Sequence, residues 1–154
     1  MSIDSGDTAP NFELQNTEGE PVEIYNYLNG SKGLLLFFPL AFSSKCTEEL
    51  CTVRDNMKLY NSLDAKVIGI SVDSFFTLKE FKKAQNLNFT LLSDFNREVS
   101  EKYDALYDDF YGMVGVAKRA AFVIGEDKQV EYAEVLDDAS QVPDFRSIKE
   151  ALQQ

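Results

Sequence analysis

Residues 33–50 read GLLLFFPLAFSSKCTEEL, an apolar run that a proline ends and a polar, cysteine-bearing stretch follows. Gly33 to Phe38 is short and apolar, as expected of a central strand buried on both faces. From Thr47 to Leu63 apolar residues recur at steps of three and four, which predicts a single amphipathic helix. The sequence therefore predicts a buried strand that passes into a helix, with Cys46 at or within the first helical turn.

The flanking sequence extends this unit into an α/β fold. Lys66–Val72 predicts a second buried strand, so strand, helix and strand follow in the order of a right-handed parallel crossover. Before this unit, Asn11–Leu14 and Pro21–Ile24 predict an N-terminal hairpin. After it come a helix (Leu78–Gln85), an extended piece (Phe89–Leu92) and one or two helical turns (Arg97–Tyr103). A second hairpin (Ala120–Ile124 with Gln129–Val135) and a final helix (Asp144–Leu152) complete the chain. This order predicts a thioredoxin-like fold with an N-terminal β-hairpin and a central mixed sheet flanked by helices, in one domain over residues 1–154.

Composition limits the classes of function. The chain has 154 residues and a formal net charge of -11, without any cluster of Lys and Arg. A phosphate backbone or an anionic lipid surface would therefore be repelled. The longest apolar run, Leu34–Phe38, is far below the roughly 20 residues that span a bilayer, and the N-terminus does not resemble a secretory signal. We expect a cytoplasmic protein with neither nucleic-acid nor membrane partners.

Histidine is absent and cysteine occurs only at positions 46 and 51. Without histidine, the chain can form neither Ser-His nor Cys-His dyads, and most zinc and iron sites are excluded. We expect no cofactor, and a nucleophile that is activated without a histidine base. A chain of this size does not depend on a disulfide for stability, so Cys46 and Cys51 are candidates for a chemical role.

Cys46 lies where the carboxyl end of a strand passes into a helix, which is where open α/β sheets build their sites. Free backbone N–H groups and the positive end of the helix dipole favour a thiolate there, and Lys45 adds to the effect. Cys46 also continues an apolar stripe with Leu50 and Val53. Spacing alone therefore fits a buried core cysteine equally well.

The start of this helix carries further polar residues. Ser43 and Ser44 precede it and can cap it through their hydroxyl oxygens. Glu48 and Glu49 are expected in its first turn, where the helix dipole favours negative charge.

Five segments in order resemble the peroxiredoxin family of alkyl hydroperoxide reductases and thiol-specific antioxidants. The active-site pattern of that family, Pro, three residues, Thr or Ser, two residues, Cys, is met by Pro39, Ser43 and Cys46. The segments cover nearly the whole chain and read GDTAPNFEL (6–14), LLLFFPLAF (34–42), VIGISVDS (67–74), LLSD (91–94) and KRAAFVI (118–124). The resemblance is closest to the bacterioferritin-comigratory, or Q-type, branch and to the one-cysteine alkyl hydroperoxide reductase E-like branch.

This resemblance implies a thiol-dependent peroxidase that reduces hydrogen peroxide and organic hydroperoxides through a cysteine sulfenic acid. It makes Cys46 the peroxidatic nucleophile, with Ser43 holding the peroxide by hydrogen bonding and Pro39 shielding the thiolate from water. Arg119 would lie beside the sulfur, and Glu49 would orient that arginine. Without the motif, Arg119 would be interpreted as a solvated charge at the start of a strand and Ser43 as a plain helix cap.

Two positions depart from the family pattern. Ser43 stands where Thr is commoner, which keeps the hydroxyl but loses the methyl group that fixes its rotamer. Lys45 precedes the cysteine where a small or apolar residue is more usual. Neither departure removes a group that the mechanism needs.

Cys51 matches the resolving cysteine of the Q-type branch, so the resemblance implies a disulfide between it and the sulfenic acid of Cys46. On an intact helix these positions would have Cα atoms roughly 8–9 Å apart, more than the about 7 Å that a disulfide tolerates. We therefore expect one or two turns of the helix to unwind on oxidation. The alternative is that Cys51 is a half-buried helix residue and that an external thiol resolves the enzyme.

The resemblance also implies partners: a hydroperoxide substrate, a thioredoxin or glutaredoxin-like reductant, and a second copy of the chain in a homodimer. Two other functions stay open, a thioredoxin-like disulfide oxidoreductase, for which C-x-x-C would be expected, and a non-catalytic thioredoxin-fold interaction domain. The aromatic segment Tyr103–Tyr111 fits a wall of the active site, a subunit contact or packing under a loop.

Overall fold

The computed structural model of the chain describes residues 2–154. Its strands are β1 Glu13–Asn16, β2 Pro21–Glu23, β3 Lys32–Phe37, β4 Ala65–Ser71, β5 Thr90–Ser93, β6 Arg119–Ile124 and β7 Val130–Leu136. Its helices are α1 Ile24–Leu28, α2 Ser44–Asp55, α3 Met57–Ser62, α4 Phe75–Gln85, α5 Glu98–Lys102 and α6 Phe145–Leu152. No helix within residues 2–154 is long and apolar enough to cross a membrane.

The strands form a mixed sheet in the order β2-β1-β5-β4-β3-β6-β7. β3 pairs in parallel with β4, and β4 with β5, whereas β3 to β6 and β6 to β7 are antiparallel. The predicted α/β fold with a central mixed sheet is therefore confirmed. The N-terminal hairpin joins the sheet, because β1 pairs with the edge of β5.

The central strand β3 separates two hydrophobic cores. Leu34 and Leu36 point into one of them, and Leu35 and Phe37 into the other, because successive side chains of a strand alternate between faces. All four are fully buried. Each stabilises the fold by about 1.5–3 kcal/mol relative to an exposed side chain, so β3 is a rigid base for the loop that follows it.

The helix predicted over Thr47–Leu63 is wrong as a single element. It breaks at Asn56, whose φ of -110° and ψ of 15° are not helical. The Asn56 Nδ2 group donates to the carbonyl of Thr52 at 2.8 Å, a local bond of the kind by which Asn competes with helix propagation. The result is two helices, α2 and α3, and both cysteines lie on the first.

The N-terminal region differs in two ways from the expectation. The two strands are joined by a turn, in which Asn16 Oδ1 accepts from the N–H groups of Glu18 and Glu20 and Gly19 has a φ of +75°. The predicted second strand ends at Glu23, however, and Ile24 begins the short helix α1, which the sequence pattern does not predict. Five residues are too few for a recognisable helical period.

Candidate active site

Cys46 is the third residue of α2 and lies in its first turn, as predicted. Its side chain is fully buried, and it belongs to the same core cluster as Phe38, Leu50 and Val53. The two interpretations of this cysteine are thus compatible. The sulfur is part of the core and also lies at the amino end of a helix that follows the central strand.

The expected role of the two serines as caps is wrong. Ser43 occupies the N-cap position, but its hydroxyl accepts no hydrogen bond from the helix and instead donates to the carbonyl of Leu40 at 2.8 Å. Ser44 is the first helical residue. Because the Ser43 hydroxyl donates its proton to the preceding loop, its oxygen lone pairs are free to accept a hydrogen bond from a ligand.

The acidic residues are also placed differently from the expectation. Because α2 begins at Ser44, Glu48 and Glu49 fall in the second turn, and the first turn contains no acidic residue. Lys45 forms an ion pair with Glu48, Nζ to Oε2 3.1 Å, so part of its charge is neutralised on the surface rather than directed at the sulfur of Cys46.

Arg119, the first residue of β6, is 2% exposed, so the alternative of a solvated charge is wrong. Its Nη1 group donates to Glu49 Oε1 at 2.6 Å. Its Nε and Nη2 groups both donate to the carbonyl of Ala139, at 3.2 and 3.0 Å. The guanidinium is therefore fixed from two sides by the helix that carries Cys46 and by the loop after β7.

Electrostatics tie these three side chains together. Burial raises the pKa of Glu49 to about 7, against the opposing effect of Arg119. Burial alone would lower the pKa of Arg119, but the nearby sulfur of Cys46 and the carboxylate of Glu49 outweigh it, and the pKa lies above its ordinary value. Arg119 is thus a permanent positive charge next to the sulfur.

The loop between β3 and α2 is anchored by Asp73, an acidic residue that the sequence does not mark as part of the site. Asp73 Oδ2 accepts from the backbone N–H of Ala41 at 2.7 Å and from Ser71 Oγ at 2.7 Å. Burial raises its pKa, although these donors oppose the change. Pro39, at the start of the loop, is buried. Asp73 lies in the segment VIGISVDS, which resembles the family, but its partner is a backbone group that no pattern specifies.

Cys51 is half-buried on the same intact helix, and both cysteines are free thiols. Its Sγ donates to Gln85 Oε1 at 3.6 Å, at the end of α4. Arg54 Nη1 donates to the backbone carbonyl of the same residue at 2.6 Å. The second half of α2 is therefore tied to α4, a contact that no sequence pattern predicts.

A cleft of about 530 Å³ lies over the guanidinium of Arg119. The predicted aromatic segment forms one of its walls, whereas Tyr103, at the start of that segment, is fully buried against Phe12, Phe37 and Phe122. The lining residues are Ser43, Ser44, Lys45, Tyr107, Asp109, Phe110, Tyr111, Arg119, Asp137, Asp138, Ala139 and Ser140. Within residues 2–154, no group of three or more His, Cys, Asp or Glu side chains could hold a metal ion.

Residues 5–133 match the AhpC/TSA family. The chain belongs to the AhpC/TSA family. Among the relatives of this family member, Peroxiredoxin Bcp of Escherichia coli K12 is 35% identical over 139 residues, which are 88% of this chain and 86% of that protein. A putative peroxiredoxin Q of the rice chloroplast is 33% identical over 130 residues, 84% of this chain and 58% of that protein.

Comparison with a solved structure shows that this AhpC/TSA family member also has the fold of a known peroxidoxin. The crystal structure of peroxidoxin BcpB from Mycobacterium tuberculosis superposes with a TM-score of 0.84 at 27% identity, covering 97% of this chain and 94% of that one. The resemblance of the sequence to the bacterioferritin-comigratory, or Q-type, branch and the thioredoxin-like fold are both confirmed.

Proposed function

We propose that this protein reduces hydrogen peroxide and organic hydroperoxides with Cys46 as the nucleophile. The observation that carries the proposal is the guanidinium of Arg119, held by Glu49 and by the carbonyl of Ala139 and in electrostatic contact with the sulfur of Cys46. A fixed positive charge beside a thiol at a helix start favours the thiolate, and only the thiolate attacks a peroxide.

The thiolate attacks one oxygen of the hydroperoxide, so that an S–O bond forms as the O–O bond breaks. Cys46 is oxidised to a sulfenic acid. The leaving alkoxide, or hydroxide in the case of hydrogen peroxide, takes up the proton released by the thiol and becomes an alcohol or water. Negative charge moves from sulfur to the leaving oxygen, and Arg119 supplies donors where that charge develops. Ser43 accepts a hydrogen bond from the peroxide O–H, because its own proton is bonded to Leu40.

Two groups assist this step without reacting. Pro39 is buried at the start of the loop and limits the access of water to the thiolate. Glu49 fixes the guanidinium and is therefore a positioning residue, not one that contacts the peroxide.

The test is the rate of hydroperoxide consumption with a thiol reductant in excess. Cys46→Ser should abolish it, and Arg119→Ala should lower it by about 100-fold or more. Disulfide reduction in insulin without peroxide consumption would instead favour a thioredoxin-like oxidoreductase. Neither activity would favour an interaction domain.

Cys51 is proposed to resolve the sulfenic acid of Cys46. Its thiol condenses with the Cys46–SOH group, giving a disulfide and one water. Because both residues lie on the intact helix α2, the first one or two turns must unwind for the sulfurs to meet. Mass spectrometry after one equivalent of peroxide tests this step. Loss of two hydrogens from the chain supports it, whereas a lasting sulfenic acid contradicts it.

A small dithiol protein of the thioredoxin or glutaredoxin kind is the proposed reductant. A disulfide within α2 would place Cys51, already half-buried rather than enclosed, where an external thiolate can attack it. Steady-state turnover with thioredoxin, glutaredoxin and glutathione as alternative reductants tests the assignment. Turnover with glutathione but with neither thioredoxin nor glutaredoxin would contradict the assignment.

A homodimer is the assembly that we propose. Phe76 and Phe95 are 69% and 61% exposed and lie together beside Phe75, away from the cleft. Exposed aromatic groups of this kind are typical of contact surfaces. Sedimentation should give a dimer that Phe76→Asp dissociates. A monomer at all protein concentrations would contradict the proposal.

A further inference from the structure

Hydrogen peroxide is much smaller than the cleft over Arg119. The cleft has a volume of about 530 Å³, within the range of pockets that hold drug-sized molecules. Hydrogen peroxide occupies only about twice the ~30 Å³ of a water molecule. The space above the guanidinium can therefore contain the organic part of a larger hydroperoxide.

One wall of the cleft is apolar and ordered. The rings of Tyr107 and Phe110 stack with centroids 5.2 Å apart, and Phe110 meets Tyr111 edge-on at 4.8 Å. Tyr107 donates its hydroxyl to the carbonyl of Leu136, and Phe110 exchanges two backbone hydrogen bonds with Met113. These contacts fix the wall before any ligand arrives, so an apolar tail can bind without ordering it.

The rest of the cleft is unfavourable to anions. It is lined by the carboxylates of Asp109, Asp137 and Asp138, against the cations Lys45 and Arg119. Lys45 is paired with Glu48 outside the cleft, and Arg119 with the buried Glu49. Both cations are thus partly neutralised by carboxylates that do not line the cleft.

Asp138, on the acidic side of the cleft, remains charged near neutral pH. Hydrogen bonds from the hydroxyl and the backbone N–H of Ser140 lower the pKa of Asp138. Asp137 pairs with Lys118, Oδ1 to Nζ 2.8 Å, so its charge is partly neutralised in the same way as that of Lys45. The net field of the whole chain, with a formal charge of -11, has the same sign.

We propose that the cleft selects uncharged organic hydroperoxides whose apolar tail lies against Tyr107, Phe110 and Tyr111, and that it disfavours hydroperoxides with an anionic tail. This inference rests on the proposed peroxidase function and adds the charge and shape of the substrate to it. The peroxide group itself lies between Ser43 and Arg119, where all hydroperoxides share the same contacts.

A matched pair of substrates tests whether the cleft disfavours a negative charge on the tail of the hydroperoxide. Cumene hydroperoxide and its para-carboxylate differ by one negative charge on the tail, and the rate of Cys46 oxidation is measured for each by rapid quench and mass spectrometry. Repulsion between like charges roughly 8 Å apart in water changes a rate by about twofold, so the carboxylates together give about a three- to tenfold advantage to the uncharged substrate at low salt. Half-molar salt should remove most of this advantage.

Variants locate the effect. The double change Asp109→Asn with Asp138→Asn should narrow the ratio of the two rates to below about twofold. Asp108→Asn removes the same charge from an exposed neighbour outside the cleft and should leave the ratio unchanged. Phe110→Ala should lower the rate for cumene hydroperoxide relative to that for hydrogen peroxide by several-fold, because about one buried aromatic contact is lost.

Equal rates for the two cumene substrates at low salt would overturn the inference, as would an Asp108 variant that acts like the double variant. Either of these two results would contradict the inferred substrate preference but not the proposed peroxidase reaction. If neither hydrogen peroxide nor either cumene substrate oxidises Cys46, the proposed function fails, and with it the inference that depends on it.

Discussion

Arg119 Nη1 donates to Glu49 Oε1 at 2.6 Å, between two side chains that are almost completely removed from solvent. Two further donors of the guanidinium are used by the carbonyl of Ala139. Three of the five N–H groups of an arginine are thus occupied by protein oxygens, and the others remain for the sulfur of Cys46 and a bound peroxide. Glu49 therefore determines which way the guanidinium, the charge that we propose activates Cys46, is directed.

Replacing the guanidinium by an ammonium group should slow the peroxidase reaction. Arg119→Lys retains the positive charge but cannot donate in a planar fork to Glu49 and Ala139 while facing the sulfur. We expect the second-order rate of Cys46 oxidation to fall by about 10- to 100-fold, with about the same fall in kcat/KM. A rate within about twofold of the parent would show that charge alone suffices.

The stability of the protein should fall with rising pH because of Glu49. Burial raises its pKa from 4.5 to about 7, so the folded chain retains a proton that the unfolded chain releases. The stability that Glu49 contributes is fully present below about pH 4.5 and is lost as pH rises through about 7. The loss is on the order of 3 kcal/mol.

Urea denaturation across this pH range measures the effect. Glu49→Gln does not titrate and should flatten the pH dependence of the free energy of unfolding between pH 4.5 and 7. Glu48→Gln, one position earlier on the exposed side of α2, is the control and should leave the slope unchanged. Identical slopes in Glu49→Gln and the parent would contradict the assignment.

Ser43 should matter for catalysis more than for stability. An N-cap serine whose hydroxyl accepts a helix N–H costs about 1 kcal/mol when changed to alanine, but Ser43 makes no such bond. We expect Ser43→Ala, which loses only the bond to the Leu40 carbonyl, to lower the free energy of unfolding by about 0.5–1 kcal/mol and kcat/KM for peroxide by about 10-fold. Ser43→Thr retains the hydroxyl and should restore most of the rate. A large loss of stability in the alanine variant would instead indicate a cap.

Oxidation should unfold the start of α2, and Gln85 should resist that change. Amide hydrogen exchange at residues 47–53 is expected to accelerate when the Cys46–Cys51 disulfide forms. Gln85→Ala releases the thiol of Cys51 from Gln85 Oε1 and should speed disulfide formation by about two- to fivefold. Lys83→Ala, exposed near the end of the same helix, is the matched control. Unchanged exchange on oxidation would exclude local unfolding as the route.

The sequence predicted best those helices and strands that are determined by the pattern of residues within the element itself. The run Gly33–Phe38 is apolar throughout and lies within one residue of β3, and the first turn of α2 contains Cys46 as expected. Asn56 shows the limit of such patterns. The apolar stripe continues through it, yet a single side-chain bond to the Thr52 carbonyl divides the helix.

The candidate site depends on contacts that no pattern records. The loop after β7 supplies a backbone carbonyl at Ala139, and any residue type has the same carbonyl. Asp73 and Gln85 act on groups about 30 residues away in sequence, Ala41 and Cys51. Only the packing of the sheet and helices brings them together.

By itself the sequence determined the α/β order, the position of Cys46 at a strand-to-helix junction and the residues that resemble a peroxidase motif, because alternation, helical period and motif spacing are properties of neighbouring residues. The tertiary structure alone decided that Arg119 is buried on Glu49, that the Ser43 hydroxyl faces Leu40 rather than the helix, and that aromatic and acidic groups enclose a cleft over the guanidinium. These are relations across 70 residues or between side chain and backbone, and they are set by which surfaces can be buried together.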